Sequence, residues 1–518
     1  MAESEQARRI ARLTAGAVGC LLLLSAAFGA DLPTDPAPDW PQLRGPGRTG
    51  TCRASPRLVD TWPAWGPKVL WEMPLPDLPV GLVGGATGSG TAERFRGAAS
   101  PVIAGGRLYV HTGTVNEGAY SRLIARRRQL AEQYGPERAE ELKAPPEFQE
   151  IAAAFPKLKT HTFLCIDPAD GKVLWRTDLP AGEETGWFSS STPTIADGRL
   201  FFLAKHGQAI CLGTEDGRVL WHRLLTQHVG AGRHGRHASV TVVDGVAIVP
   251  VGGQGTYGLG AATGEVVWHQ PKAGGTVGSA TPWESGGRTM AVATGACLDV
   301  KTGEVLWRVA ADDESAIAIQ GDCMAVANPW SADPHQITVY EISPQEAKPV
   351  FSVTTSAQAG SPILDGPRLY FRDRHRYVCV DLQTRNTLWE ARVGPGRHFS
   401  YALLVDGKII GLSTWALWML DAASGKALGR WESYQRFPDR HANLRSPAVW
   451  NGRLFVIQDD TLVWADLTEA GPPTDEWKQA QGQPAQTDEE ARKALLRLLR
   501  SKKEAEEETR ERAAEKEQ

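Results

Sequence analysis

Arginine and histidine side chains gather in a few short stretches of this sequence, and they are its clearest candidates for chemistry. The stretches hold Arg94 and Arg96; His228, Arg233, His234, Arg236 and His237; Arg397 and His398; and Arg436, Arg440, His441 and Arg445. Guanidinium groups bind carboxylates and phosphates through charge-assisted hydrogen bonds. The whole chain has 56 basic and 60 acidic residues and a net charge of −4. The stretches therefore predict a local anion site, and the overall charge argues against a general nucleic-acid binder.

A metal ion or a covalent catalyst would need more than these residues. His234 and His237 have a spacing that suits metal ligands, but their Gly-rich stretch contains no Cys or carboxylate, and a metal site needs three or four convergent ligands. The glycine run from Gly84 to Gly90 lacks the Lys and the helix of a phosphate-binding loop. No G-x-S-x-G nucleophile elbow occurs. We predict no metal site and no catalytic residue.

The first thirty residues have the pattern of an export signal. Arg8, Arg9 and Arg12 precede an apolar run from Leu13 to Ala27, and small residues follow. A run of about 15 apolar residues is short for a membrane-spanning helix, which needs about 20. We predict a signal peptide at residues 1–30 and a periplasmic or secreted protein, with an uncleaved anchor as the alternative. No other stretch is long and apolar enough to span a bilayer.

Cysteines in an exported protein raise the question of disulfides. Four of the seven stand ten residues before a tryptophan, namely Cys165, Cys211, Cys297 and Cys379. Equivalent positions in successive copies of a repeated unit lie too far apart for a bridge, whose Cα atoms must be within about 7 Å. We predict that these four are buried as small apolar side chains, and we assign no partner to Cys52 or Cys323.

One repeat follows the pattern Asp-x-x-x-Gly-x-x-x-Trp or a close variant. Copies end at Trp175, Trp221, Trp268, Trp307 and Trp389, Phe351 takes the Trp position in a degenerate copy, and Gly429 takes it in a weaker copy that starts at Asp421. The pattern is typical of a β-hairpin whose turn needs a positive φ at Gly. Alternation along the second strand predicts Val173 and Trp175 on one face and Leu174 on the other. Arg385 replaces the Gly in one copy, which predicts a different turn there.

A second repeat precedes the first and completes a unit of four short strands. It occurs eight times, starting near residues 100, 192, 238, 280, 317, 361, 402 and 446. Units of about 40–50 residues with four strands are typical of propeller blades. The last copy supplies only three strands, whereas Lys68–Trp71 is a strand without a unit. The sequence therefore predicts an all-β, eight-bladed β-propeller of four-stranded blades, closed by pairing of the N-terminal strand with the C-terminal blade.

The predicted boundaries follow from these repeats. An extended N-terminal segment covers residues 31–65, and the propeller covers residues 66–467. A helical insertion at residues 118–160 interrupts the first full blade between its second and third strands. A linker and a charged helical tail cover residues 468–518, where Glu, Lys, Arg and Ala dominate. A solvated tail suits that composition better than a coiled coil.

The hairpin resembles the tryptophan-docking repeat of the PQQ-binding-like propellers over about residues 66–467. This resemblance implies that the repeat tryptophans fasten neighbouring blades together. The opening Trp40-Pro41-Gln42-Leu43-Arg44-Gly45-Pro46 also looks like the start of exported members, and its Pro and Gly content suits an extended segment laid over the propeller. One branch of the family comprises quinoprotein alcohol dehydrogenases with PQQ and calcium over the channel and an adjacent-cysteine disulfide. Another resembles the non-catalytic propeller subunit of the outer-membrane barrel-assembly machinery.

The propeller fold brings the basic stretches together. Connections that lead into each innermost strand surround one mouth of the central channel, so the candidate ligand- or partner-binding residues there are Arg96, Trp187, Arg233, His234, Arg236, His237, Arg397, His398 and Arg445. Acidic residues are few at these connections, chiefly Asp312, Asp313 and Glu314. A positive mouth with low-dielectric walls would attract an anionic ligand or an acidic protein segment. Pairing of these arginines with neighbouring blades, or plain exposure to solvent, is the alternative.

Three functions remain open at this point. The first is an exported, non-catalytic scaffold that binds a protein partner in the cell envelope, without a cofactor. The second is a PQQ-dependent oxidoreductase with calcium and a divergent site, although the chain has no adjacent cysteine pair. The third is a propeller that binds a sugar or an anionic ligand. Intact architectural motifs beside absent catalytic ones favour the first, because the fold alone does not determine the function.

Overall fold

The computed structural model describes residues 39–470 with several gaps. The gaps are residues 64, 76–82, 85–91, 94–98, 116–156, 186–190, 205–206, 227–237, 276–277, 314–315, 330, 357–358, 395–400, 414–415, 433–445 and 459–460. The predicted signal peptide, most of the predicted insertion with its helices, and the charged tail lie outside the described residues.

The described residues form short strands. The N-terminal part holds β1 Thr51–Cys52, β2 Pro67–Pro74, β3 Val83–Gly84 and β4 Ala92–Glu93. Blade 1 is β5 Val102–Ala104, β6 Arg107–Val115, β7 Lys157–Ile166 and β8 Val173–Thr185; blade 2 is β9 Thr194–Ala196, β10 Arg199–Leu203, β11 Gln208–Gly213 and β12 Val219–Leu224; blade 3 is β13 Thr241–Val243, β14 Val246–Val251, β15 Gly255–Gly260 and β16 Val266–Gln270; blade 4 is β17 Thr281–Ser285, β18 Arg288–Ala293, β19 Ala296–Asp299 and β20 Val305–Arg308.

The second half repeats the same arrangement. Blade 5 is β21 Ala318–Gln320, β22 Cys323–Ala327, β23 Gln336–Ile342 and β24 Ala347–Thr354; blade 6 is β25 Ile363–Asp365, β26 Arg368–Asp373, β27 Arg376–Asp381 and β28 Thr387–Arg392; blade 7 is β29 Leu403–Val405, β30 Lys408–Ser413, β31 Ala416–Asp421 and β32 Ala427–Glu432; blade 8 has β33 Ala448–Trp450, β34 Arg453–Gln458 and β35 Thr461–Ala470. The β2 strand is the fourth strand of blade 8 and pairs antiparallel with β35. The predicted eight-bladed propeller and its closure by the two chain ends are confirmed.

The hairpin between the third and fourth strands is built by its Asp and Gly residues. In blade 7 the Asp421 carboxylate accepts hydrogen bonds from the backbone N–H and the hydroxyl of Ser424, and these bonds hold the pKa of Asp421 below its usual value. Gly425 closes the turn with φ of 71° and donates its N–H to the Asp421 carbonyl. Positive φ is nearly free for Gly and costly for other residues, which explains the repeat.

The repeat tryptophans dock on the next blade, as the resemblance implied. The Trp221 indole N–H donates to the Ala261 carbonyl at 3.0 Å, and its ring covers Gly264 of blade 3. A Cβ atom at Gly264 would lie 2.6 Å from Trp221 Cδ2. The indoles of Trp71, Trp175, Trp268, Trp307 and Trp389 donate to carbonyls of the following blade in the same way.

The predicted alternation along the fourth strand is wrong. Trp175 pairs with Cys165 but Val173 pairs with Ile166, so that Leu174 lies in a bulge. A bulge adds one unpaired residue and resets which face each side chain takes. Both Val173 and Leu174 are therefore exposed. Equivalent register shifts occur between the third and fourth strands of the other blades.

The prediction that Arg385 requires a different turn is also wrong. Arg385 takes φ of 61° and donates its N–H to the Asp381 carbonyl, as Gly425 does with Asp421. Its guanidinium lies over the ring of Phe351 in blade 5, 5.6 Å from the ring centroid. The two departures from the repeat thus meet at one blade interface. A phenyl ring in place of the larger indole leaves room for a side chain on the turn.

At the seam between blades 7 and 8, a tryptophan from another part of the chain replaces the missing repeat tryptophan. Gly429 stands at the Trp position, and a Cβ atom there would lie 2.8 Å from Trp62 Cβ. The Trp62 backbone N–H donates to the Leu428 carbonyl, and its side chain is buried. Because the fourth strand of blade 8 comes from the N-terminus, it has no hairpin turn, and the ring of Trp431 covers Gly66 directly before that strand. Trp62 occupies the space above Gly429.

The cysteines behave as small core residues. Cys165, Cys211, Cys297 and Cys379 are each buried opposite the tryptophan of their hairpin and are free thiols. Burial raises the pKa of the Cys165 and Cys379 thiols to about 11 and that of Cys211 and Cys297 to about 12, because the interior disfavours the thiolate. Cys52 and Cys323 are free as well. The predicted absence of a disulfide among the four repeat positions is confirmed.

Candidate functional site

A ring of hydroxyl groups surrounds the axis of the propeller where the innermost strands begin. In each case the backbone N–H of one blade donates to a hydroxyl of the next: Ser446 to Ser100, Ser100 to Thr192, Thr192 to Ser239, Ser239 to Ser279, and Ala316 to Ser361. Each of these residues stands two positions before its innermost strand. The equivalent residue in blade 7 is Tyr401, whose larger side chain hydrogen-bonds with Ser361. We call the side of the ring that faces away from the innermost strands the mouth, and the side along which these strands run the floor.

The N-terminal segment contacts the innermost strands of blades 1, 2 and 7. Trp40 forms a bridge with Ile103 of β5, and the Pro41 carbonyl accepts from the N–H of Ile195. Thr51 and Cys52 form β1, which pairs parallel with β29 on its axial edge and makes blade 7 a five-stranded sheet. The residues between these points fold through tight turns at the axis. We define residues 40–52 as the plug.

Arg48 of the plug reaches blades 2 and 3. Its Nε donates to Gln42 Oε1 at 2.9 Å, and its Nη2 donates to the Val240 carbonyl and to Thr194 Oγ1. Only 3% of its surface is exposed. Burial lowers the pKa of Arg48 to about 9, and the nearby Arg44 lowers it further, whereas Tyr401 acts in the opposite direction.

Arg44 reaches the other side of the axis. Its Nη2 donates to the Pro362 carbonyl of blade 6 and to the Thr49 carbonyl, and 2% of its surface is exposed. Its guanidinium lies over the Tyr401 ring, 5.7 Å from the centroid. Burial lowers the pKa of Arg44 to about 10. Two buried cations from the plug therefore lie beside one tyrosine at the axis.

The residues predicted for the mouth lie outside the described residues. This applies to Arg96, Trp187, Arg233, His234, Arg236, His237, Arg397, His398 and Arg445, so that their convergence stays a prediction. The plug lies among the described residues, and the sequence analysis did not predict a role for its residues Arg44 and Arg48. It treated the opening segment as extended, whereas the structure folds it into the axis. The available indication was two arginines four residues apart between Trp40 and Cys52, with no acidic residue among them.

The outer rim carries a second feature. Among the described residues, every large exposed hydrophobic side chain lies on the fourth strand of a blade: Leu70, Val173, Leu174, Val219, Leu220, Leu224, Val266, Val267, Val350 and Leu388. Seven of these ten belong to blades 1 to 3. We call those seven the apolar belt. The fourth strand is also the outer edge of its sheet, so the belt runs along three neighbouring strand edges.

Comparison with known proteins identifies the family of this propeller. A family model described as "Outer membrane protein assembly factor BamB" matches residues 151–332 and 293–491, which together exceed half of the chain. The chain belongs to this family of PQQ-like β-propellers. No curated protein matches the sequence significantly.

Solved structures of this PQQ-like propeller type share the architecture at low identity. BamB from Moraxella catarrhalis is 16% identical, with a TM-score of 0.45, over 58% of this chain and 91% of that chain. A quinohemoprotein alcohol dehydrogenase from Comamonas testosteroni is 12% identical, with a TM-score of 0.54, over 84% of this chain and 82% of that chain. Quinohemoprotein alcohol dehydrogenase ADHIIG from Pseudomonas putida HK5 is 10% identical, with a TM-score of 0.50 and the same coverage. At these identities the likeness concerns the fold.

The described residues of this PQQ-like propeller offer no donor set for the calcium ion of the quinoprotein branch. Calcium takes six to eight oxygen ligands, mostly from carboxylates. The described residues contain no group of three or more His, Cys, Asp or Glu side chains that would hold a metal. At the described axis the charged groups are chiefly Arg44 and Arg48, with Asp312 near Tyr401. We therefore derive no chemistry through PQQ. Within the described part of the chain, no helix has the length and hydropathy to cross a bilayer.

Proposed function

We propose that this PQQ-like propeller is an exported, non-catalytic scaffold that binds a protein partner in the cell envelope through the apolar belt. The observation that carries the proposal is the concentration of exposed apolar side chains on the edge strands of blades 1 to 3. Large contiguous apolar surfaces on soluble proteins mark interaction sites. The predicted signal peptide supports the envelope as the location.

The kind of partner follows from the strand edges. The fourth strand of each blade has backbone N–H and C=O groups on its outer side, which can pair with an added strand. Side chains of alternate residues on such a strand then contact the apolar side chains of the edge. The partner we propose is therefore a protein that presents an extended segment with apolar side chains. The proposal needs no metal, cofactor or nucleic acid.

The experiment places charge on the belt and on a matched surface opposite to it. Leu174→Lys and Leu220→Lys change belt residues that directly precede the docking Trp of blades 1 and 2. Val350→Lys and Leu388→Lys change the same position in blades 5 and 6, with exposures of 44% and 45% against 44% and 37% for the belt pair. Photo-crosslinkers at Val267 and at Val350 are then compared in intact cells.

We expect the photo-crosslinker at Val267 to give one crosslinked species that the photo-crosslinker at Val350 does not give. This species should be lost in the Leu174→Lys and Leu220→Lys double variant. Equal crosslinking at both positions, or a species that survives the belt variant, contradicts it. Purified protein that retains quinone absorbance after incubation with PQQ and calcium and desalting, and that then oxidises an alcohol, would show an enzyme instead.

A further inference from the structure

Arg44 and Arg48 are buried at the axis without a described counter-ion. Their acceptors are the carbonyls of Thr49, Pro362 and Val240, the Gln42 amide oxygen and the Thr194 hydroxyl. Within the described part of the chain, no carboxylate lies within ion-pair distance of either guanidinium. Buried charges in proteins are normally paired, because an unpaired one loses several kcal/mol of hydration. Two neighbouring cations therefore point to an anion that completes the site.

Arg44 also has N–H groups that donate no hydrogen bond within the described part of the chain. Its Nε and Nη1 are buried and have no hydrogen-bond acceptor in the described part of the chain. The π face of Tyr401 covers this guanidinium, and Tyr401 itself is partly exposed. An aromatic ring satisfies part of the positive charge but does not accept two directed N–H bonds. An oxygen anion would accept from either of these N–H groups.

The positions of the two guanidiniums indicate the side of the channel from which a ligand would reach them. The plug contacts the innermost strands through Trp40, Pro41 and β1. The Pro362 and Val240 carbonyls that accept from the two guanidiniums instead stand one residue before an innermost strand, next to the positions of the hydroxyl ring. The arginines therefore lie toward the mouth. Asp312 is the acidic group near Tyr401, and its single charge leaves the two arginines in excess.

We propose that Arg44 and Arg48, together with the hydroxyl of Tyr401, form a binding site for a small oxyanion that enters the axial channel from the mouth. A carboxylate or a phosphate fits, because either accepts charge-assisted N–H bonds from a guanidinium. The oxyanion accepts from the Arg44 N–H groups that have no acceptor in the described part of the chain. This site is separate from the apolar belt and does not depend on the proposed function.

Titration of the full chain with inorganic phosphate and with acetate tests the site, against sodium chloride at equal ionic strength. The melting temperature and isothermal titration calorimetry both report binding. Wild-type protein is expected to bind at least one of the two oxyanions and to melt at a higher temperature with it than with chloride. Phosphate and acetate in separate arms tell a phosphoryl ligand from a carboxylate ligand. In Arg44→Gln and in Arg48→Gln the affinity is expected to fall by about tenfold or more.

Arg57→Gln is the matched control, because Arg57 lies in the same N-terminal segment with 80% of its side chain exposed. It should bind as the wild type does. If Arg44→Gln fails to fold, the Arg Nε–H resonances of the wild type, assigned with Arg48→Lys, should still shift on addition of the bound oxyanion. No oxyanion effect beyond chloride overturns the proposal. So does binding that persists in both plug variants and disappears in Arg233→Gln with Arg236→Gln.

Discussion

Blades 2 and 3 meet through Trp221 and Gly264, whereas blades 5 and 6 meet through Phe351 and Arg385. In the first interface the indole covers a turn that has no side chain and donates a hydrogen bond to that turn. In the second, a smaller ring without an N–H donor lies beneath a guanidinium on a turn with the same backbone. The difference indicates that the size of the ring on one blade and the residue in the facing turn of the next blade depend on each other and form one unit. A change in either alone should be costly, whereas a matched change in both should be tolerated.

The seam between blades 7 and 8 extends this comparison, and it should give the largest effect. Trp62 fills the space above Gly429 and is buried with Trp431 and Trp464. Trp62→Ala should lower the free energy of unfolding by about 3–5 kcal/mol, because it removes a large buried ring. Urea denaturation measures the change.

Two variants make the Trp62 result specific. Arg57→Ala, at an exposed position of the same N-terminal segment, should change stability by less than about 0.5 kcal/mol. Trp62→Ala with Gly429→Trp would restore an indole at the repeat position, yet Trp431 already covers Gly66 at this seam, so little recovery is expected. A full recovery would mean that Trp62 acts only as a substitute ring and has no role in anchoring the N-terminal segment.

The Trp221 and Gly264 interface should respond next. Gly264→Ala places a Cβ atom 2.6 Å from Trp221 Cδ2 at φ of 70°, and strain and steric conflict together should cost about 2–4 kcal/mol. Gly245→Ala is the matched control, since Gly245 has φ of 72° with nothing within 4 Å of the added atom. It should show the strain alone.

A double variant separates the two contributions further. If ring and turn form one unit, Trp221→Phe should reduce the cost of Gly264→Ala, with a favourable coupling free energy of about 0.5–3 kcal/mol. Equal destabilisation by Gly264→Ala and Gly245→Ala would show that the indole contact contributes nothing to the requirement for Gly.

The sequence predicted the architecture well because its evidence was local and repeated. Hairpin turns recur in register, and the unpaired strand Lys68–Trp71 matched the three-stranded last blade. The bulge at Leu174 was missed because a bulge changes pairing without leaving a composition pattern. The conformation of Arg385 was missed because Phe351 is a partner only in three dimensions.

The plug was missed for a related reason. A segment rich in Gly and Pro carries no periodic pattern, and it is placed by contacts with residues far along the chain. Arg44 reaches Pro362 and Arg48 reaches Val240, which are distances in sequence that no local rule covers. The residues predicted for the mouth differ from the plug in this respect. Their charge pattern is evident in the sequence, but their positions lie outside the described residues.

The smallest effect is expected at the Phe351 and Arg385 interface, and its sign is informative. Arg385→Gly relieves a positive φ that costs an L-residue about 1–2 kcal/mol and loses a cation–π contact of about 0.5–1 kcal/mol. The net change from these two contributions should lie between about zero and a stabilisation of about 1.5 kcal/mol, measured by urea denaturation. Arg385→Gly with Phe351→Trp rebuilds the regular interface and should be more stable than Phe351→Trp alone, where the larger ring meets the Arg385 side chain. Should Phe351→Trp be equally stable with either residue at 385, ring size and turn residue would be independent, and the unit inferred from these two interfaces would not exist.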